Sequence, residues 1–106
     1  MSGVVDLGDL CRQMTPRMAE GVYVYCTFSD FRLPGGLEPI CTFREAEGLT
    51  AIVGRREAEA AALPYVFPCR LITLAVHSSL DAVGFLARIT DRLSRAGIAC
   101  NAVAAF

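Results

Sequence analysis

The chain contains no lysine and no tryptophan, and its single histidine is His77. Without lysine there is no Schiff-base chemistry and no P-loop lysine. All ten basic residues are arginine, a composition that reads as coding bias, and they stand against eleven acidic ones for a net charge of −1. That balance leaves no positive surplus to grip a nucleic-acid backbone or an anionic membrane, so neither is expected as a partner. No Cys-x-x-Cys and no Cys/His pair stands at ligand spacing, so no metal site is expected. No G-x-G-x-x-G follows a strand, which speaks against a dinucleotide fold, and no cofactor is expected. No uncharged apolar run reaches the length of a membrane span, and the N-terminal MSGVVDLGDLC lacks the basic and apolar regions of a secretory signal. The expected location is the cytoplasm.

What is present is apolar. Over 106 residues, 54% are hydrophobic and 20% charged, enough for one folded core and too little for two independent ones. The five cysteines, Cys11, Cys26, Cys41, Cys69 and Cys100, are odd in number and mostly set in apolar runs. They fit reduced core thiols better than a disulfide framework.

Asp6–Met14 places Leu7, Leu10, Cys11 and Met14 on one helical face, with Asp6 at its N-cap and Pro16 closing it. Val22–Phe28 is a β-branched and aromatic run that predicts a strand. Ser29–Pro39 carries Pro34, Gly35, Gly36 and Pro39 and predicts a loop. Ile40–Ala46 and Leu49–Val53 flank a short turn and predict a hairpin. Arg55–Leu63 has good helix formers and stops before Pro64. Cys69–His77 predicts a central strand. Ala82–Ala96 is the clearest helix, with Phe85, Leu86, Ile89 and Leu93 as its stripe, Asp81 before it and Gly97 after it. Ile98–Phe106 predicts a last strand. The order α-β-β-β-α-β-α-β indicates an α+β sandwich with helices packed on an antiparallel or mixed sheet.

From Leu71 to Asn101 the chain resembles the ACT domain, a small regulatory module attached to many enzymes of amino-acid metabolism. Asp81, Gly84, Leu86, Ala87, Ile89, Leu93, Ala96, Gly97, Ile98 and Asn101 carry the pattern D-x-x-G-x-L-A-x-I-x-x-x-L-x-x-A-G-I-x-x-N. Val83 stands where that family usually has proline, which leaves the loop less constrained. The whole chain is similar to bacterial stand-alone proteins with tandem ACT-like halves, through Gly21–Val24, Phe43–Thr50, Phe67–Thr73 and His77–Leu80. The resemblance implies a ferredoxin-like, ACT-like α+β sandwich on a mainly antiparallel sheet. It also implies one compact unit in which residues 1–66 form the first half and residues 67–106 open a second. Members of that group continue with a further strand, helix and strand, which this chain lacks.

A polar loop leading into a helix with glycine in its first turn offers backbone N–H groups at a positive helix end, suited to an anion such as a carboxylate. The resemblance implies the same place: a non-catalytic regulatory protein binding an amino acid at a subunit interface. Ser78, Ser79, Asp81, Val83, Gly84 and Asn101 are its candidate ligand-binding residues. Plainer readings stand beside this one. Asp81 serves as the N-cap of its own helix and Gly84 as a close-packing residue. The chain as a whole serves as an oligomerisation or enzyme-docking module without a ligand. His77 reads as a satisfied strand-end histidine rather than half of a dyad with Ser78 or Cys69, so no catalytic residue is assigned. Arg70 calls for an ion pair with Glu45 or Glu47, or for an anionic ligand. The apolar segment Ala102–Phe106, as a bare edge, calls for pairing with another chain in a homodimer or larger assembly.

Overall fold

A computed structural model of the chain describes residues 15–75 and 84–103. The elements are strands β1 (Thr15–Met18), β2 (Tyr23–Phe28), β3 (Cys41–Glu45) and β4 (Gly48–Gly54), helix α1 (Arg55–Ala60), strands β5 (Val66–Cys69) and β6 (Ile72–Ala75), and helix α2 (Phe85–Arg95). The fold class is α+β. The chain divides into two compact units, one of Met18–Thr73 and one of Met1–Arg17 with Leu74–Phe106.

In the first unit the four-stranded sheet has the order β3-β4-β2-β5, each neighbouring pair antiparallel. Register explains the core. Val24 faces Val53 and Cys26 faces Ala51 across β2 and β4, so these four side chains share one face, and Ala58 of α1 is buried against them. Phe28, Leu33, Leu63 and Tyr65 pack around that cluster. On the other face Tyr25 pairs with Ile52, which pairs in turn with Cys41. Gly48 is needed at the hairpin because a Cβ there would lie 2.8 Å from the Phe28 carbonyl oxygen.

Helix α1 is anchored at its start by the Arg55 N–H donating to the Val22 carbonyl at 2.8 Å, and by Glu57, whose carboxylate accepts the Glu38 N–H from the β2–β3 loop. It ends three residues earlier than the sequence predicts. Leu63 donates its N–H to the Ala58 carbonyl and Ala62 to that of Glu59, with Ala62 at φ +54. This is the Schellman reversal that usually carries glycine, so only Pro64 was visible as a stop.

Three further expectations are corrected. The strand predicted over Cys69–His77 is broken at Arg70 and Leu71: it holds the last residue of β5 and all of β6, Val66–Pro68 of β5 lie before its predicted start, and residues 76 and 77 lie outside the described residues. β5 is an edge strand: Pro68 has no N–H to give, Phe67 sits at φ +55, and the register with β2 shifts between Tyr23 and Tyr25. β6 pairs instead with β1 in a two-stranded sheet. β1 was not foreseen because TPRM is short, carries a proline read as a helix stop, and has all four residues exposed. The strand predicted over Ile98–Phe106 is absent from residues 98–103, which are exposed and irregular, with no described strand beside them to complete a ladder. The predicted helix Asp6–Met14 and residues 104–106 lie outside the described residues.

In the second unit α2 carries the expected stripe of Phe85, Leu86, Ile89 and Leu93. It closes in the same reversal as α1, here with Gly97 at φ +75 and the Ile98 N–H on the Leu93 carbonyl. Its start is corrected: Gly84, at φ +86, stands at the N-cap, three residues beyond the predicted cap Asp81.

Candidate functional site

Of the six candidate ligand-binding residues, the structure describes Gly84 and Asn101. Ser78, Ser79, Asp81 and Val83 lie outside the described residues, as does His77. Gly84 adopts the left-handed conformation that side-chain-bearing residues rarely take, and its carbonyl accepts the Arg88 N–H at 3.0 Å. Among the described residues no side chain caps the helix at this end. The first-turn N–H groups of α2 thus meet no described side-chain acceptor, an arrangement compatible with an anion and not by itself a site. Asn101 is exposed and in irregular backbone, so its amide is open to solvent.

Electrostatics along α2 favour the helix more than a ligand. Arg92 and Arg95 stand in the last turn, where they complement the dipole, and Arg95 pairs with Asp91 at 3.1 Å on an open surface worth under about 1 kcal/mol. The Thr90 hydroxyl donates to the Leu86 and Ala87 carbonyls at 3.1 and 3.2 Å.

The first unit holds the contacts that sequence spacing did not reveal. Arg70 pairs with neither Glu45 nor Glu47. Its Nη2 donates to the Ala19 carbonyl at 3.0 Å, while the Ala19 N–H donates to the Leu71 carbonyl at 2.9 Å. Arg70 thus ties the segment after β5 to the segment after β1, a backbone acceptor that no charge pattern announces. Glu45 instead accepts the Thr50 hydroxyl across the hairpin. The Arg44 guanidinium lies 4.8 Å from the centre of the Phe31 ring.

Neither Cys26 nor Cys69 has the character of an activated nucleophile. Burial pushes the Cys26 and Cys69 thiols up, so both remain protonated near neutrality, and the Cys69 thiol points to the Tyr23 carbonyl at 3.5 Å. Tyr65 is raised first by donating its hydroxyl to Glu59, at 3.1 Å. Among the described residues no three His, Cys, Asp or Glu side chains form a group that could hold a metal ion. Among them, too, no helix is long and apolar enough to cross a membrane.

Comparison with known proteins places these features in a family. The model of the ACT domain matches residues 2–70, covering the stretch expected as the first half and ending before the Asp81–Asn101 pattern. No curated protein matches the chain. Among solved structures, the chain is similar to a Vibrio cholerae protein described as of unknown function and a possible transport protein. The two share 39% identity with a TM-score of 0.80, over 99% of this chain and 81% of that one. On a family match over most of its length, the chain belongs to the ACT domain family.

Proposed function

We propose that the protein is a non-catalytic regulatory protein of the cytoplasm that binds an amino acid or a related carboxylate. In this reading the ligand sits at the loop entering α2, through Ser78, Ser79, Asp81, Val83, Gly84 and Asn101, at an interface between copies of the chain. The observation that carries the regulatory and ligand-binding part is membership of the ACT family, whose domains are generally regulatory. The placement at this loop draws on Gly84, whose positive φ and missing Cβ let a small anion approach a helix end that no described side chain caps.

A ligand that binds only the folded state stabilises it by mass action. A thermal-shift panel of the common amino acids is therefore expected to contain at least one that raises the melting temperature in proportion to the logarithm of its concentration. A flat panel, with calorimetry equally silent, overturns the ligand and leaves an oligomerisation or docking module.

A further inference from the structure

Helix α2 carries its apolar residues on one side; all of its residues are described and none is buried. Phe85, Ile89 and Leu93 are half-buried, and Leu86 is 46% exposed. Among the described elements the extensive contacts join β2, β3, β4, β5 and α1, and α2 has none of them. An apolar stripe on a helix calls for an apolar partner. The chain holds one outside the described residues. Asp6–Met14 is expected as a helix with Leu7, Leu10, Cys11 and Met14 on one face, and it belongs to the same compact unit as α2.

We propose that Asp6–Met14 docks on the apolar stripe of α2 as an antiparallel helix, with Met14 toward Phe85 and Leu7 toward Leu93. Topology sets the direction. β1 pairs with β6, and the Ala19 N–H just past the end of β1 donates to the Leu71 carbonyl just before β6, so the two strands run antiparallel. Thr15 therefore lies at the same end of the pair as Ala75. A helix that ends where β1 begins, and a helix reached from where β6 ends, pack antiparallel. Length and charge agree with this. At about 1.5 Å per residue, Leu7–Met14 rises about 10 Å and Phe85–Leu93 about 12 Å, so the stripes match. In this register Leu10 and Cys11 lie over Ile89. Asp6 flanks its stripe on the same angular side as Arg92 flanks that of α2, and in an antiparallel pair those flanks face each other. Asp6 thus meets Arg92, while Arg95 pairs with Asp91. Parallel packing would carry Asp6 to Phe85, away from both arginines.

The docking goes beyond the ligand reading above and is tested without any ligand. Ile89→Cys under mild oxidation is expected to form a disulfide with native Cys11 inside one chain, found by peptide mapping as an 11–89 link. Ala87→Cys, on the far side of α2, is expected to leave Cys11 unlinked. In the folded wild type, alkylation at Cys11 is expected to run about tenfold slower than at exposed Cys100, because Cys11 reacts only when the segment lifts off. An 11–89 link between two chains gives the stripe to a second copy. Links from 87 and 89 in equal yield, or none from 89, take the segment off the stripe. Each of these overturns the proposal. If Ile89→Cys fails to fold, the wild-type rates decide, and a Cys11 as reactive as Cys100 overturns it.

Discussion

Ala62 and Gly97 occupy the same position in two copies of one hydrogen-bonded reversal, and only one of them suits it. At φ +54 the Ala62 Cβ crowds the backbone, at a cost of about 1–2 kcal/mol that glycine avoids. Part of that gain is offset because glycine also loosens the unfolded chain. Ala62→Gly is therefore expected to stabilise the protein by about 0.5–1 kcal/mol, read as a higher urea midpoint with unchanged slope. A lower midpoint would contradict the left-handed assignment. Gly48 gives the opposite case. A Cβ there meets the Phe28 backbone, which cannot swing aside, so Gly48→Ala is expected to cost about 1–3 kcal/mol in the same assay.

The buried thiols make a prediction about pH. Cys26 and Cys69 are raised in the folded state by desolvation, so the folded form holds its protons more tightly than the unfolded one. Their contribution is fully present below the ordinary thiol value and is lost as pH rises through the raised one. Tyr65, raised chiefly by its bond to Glu59, acts in the same direction. The unfolding midpoint is expected to be flat through neutrality and to fall in the alkaline range, with a shallower fall in Cys26→Ala. Alkylation followed by mass spectrometry is expected to label exposed Cys100 first and buried Cys26 only on unfolding. Equal rates at the two positions would contradict the packing of β2.

At the scale of elements, what was legible in the sequence follows how each element is held. β2, β3 and β4 were readable because β-branched and aromatic residues meet cross-strand partners on a half-buried sheet, and α2 because its stripe has helical spacing. β1 was not, since its four exposed residues are placed by pairing with β6 and not by any apolar pattern of their own. The run Cys69–His77 reads as one central strand, whereas its first residue ends the edge strand β5, unforeseen and shaped by Phe67 and Pro68, and Arg70 turns the chain toward Ala19. That bond gives a test at this scale. Arg70→Met keeps the stem and removes the donor, and is expected to speed amide exchange at Ala19 while leaving the Val24 and Val53 amides protected. The candidate site was legible only as a motif. The pattern from Asp81 to Asn101 gave a helix and the place we propose for the ligand, but not the cap at Gly84, because a left-handed glycine at an N-cap leaves no side-chain signature.

For the molecule as a whole, the buried core of the described residues is small. Val24 and Val53 are the only large side chains fully withdrawn from water there, supported by Cys26, Ala51 and Ala58. The marginal stability of small domains makes added contacts, from a ligand or a second copy, a large fraction of the total. It also makes linkage easy to read. The central claim, an amino acid or related carboxylate held at the entry to α2, is tested most directly by titration calorimetry on three proteins. Wild type, Gly84→Asn and Gly84→Asp are each titrated with whichever amino acid the thermal-shift panel selects. Asn tolerates the left-handed backbone without charge, whereas Asp adds a carboxylate where the ligand's own would sit. The account predicts binding in the wild type, weakened binding in Gly84→Asn and none in Gly84→Asp, with all three folded by circular dichroism. Equal affinity in Gly84→Asp and the wild type would contradict it.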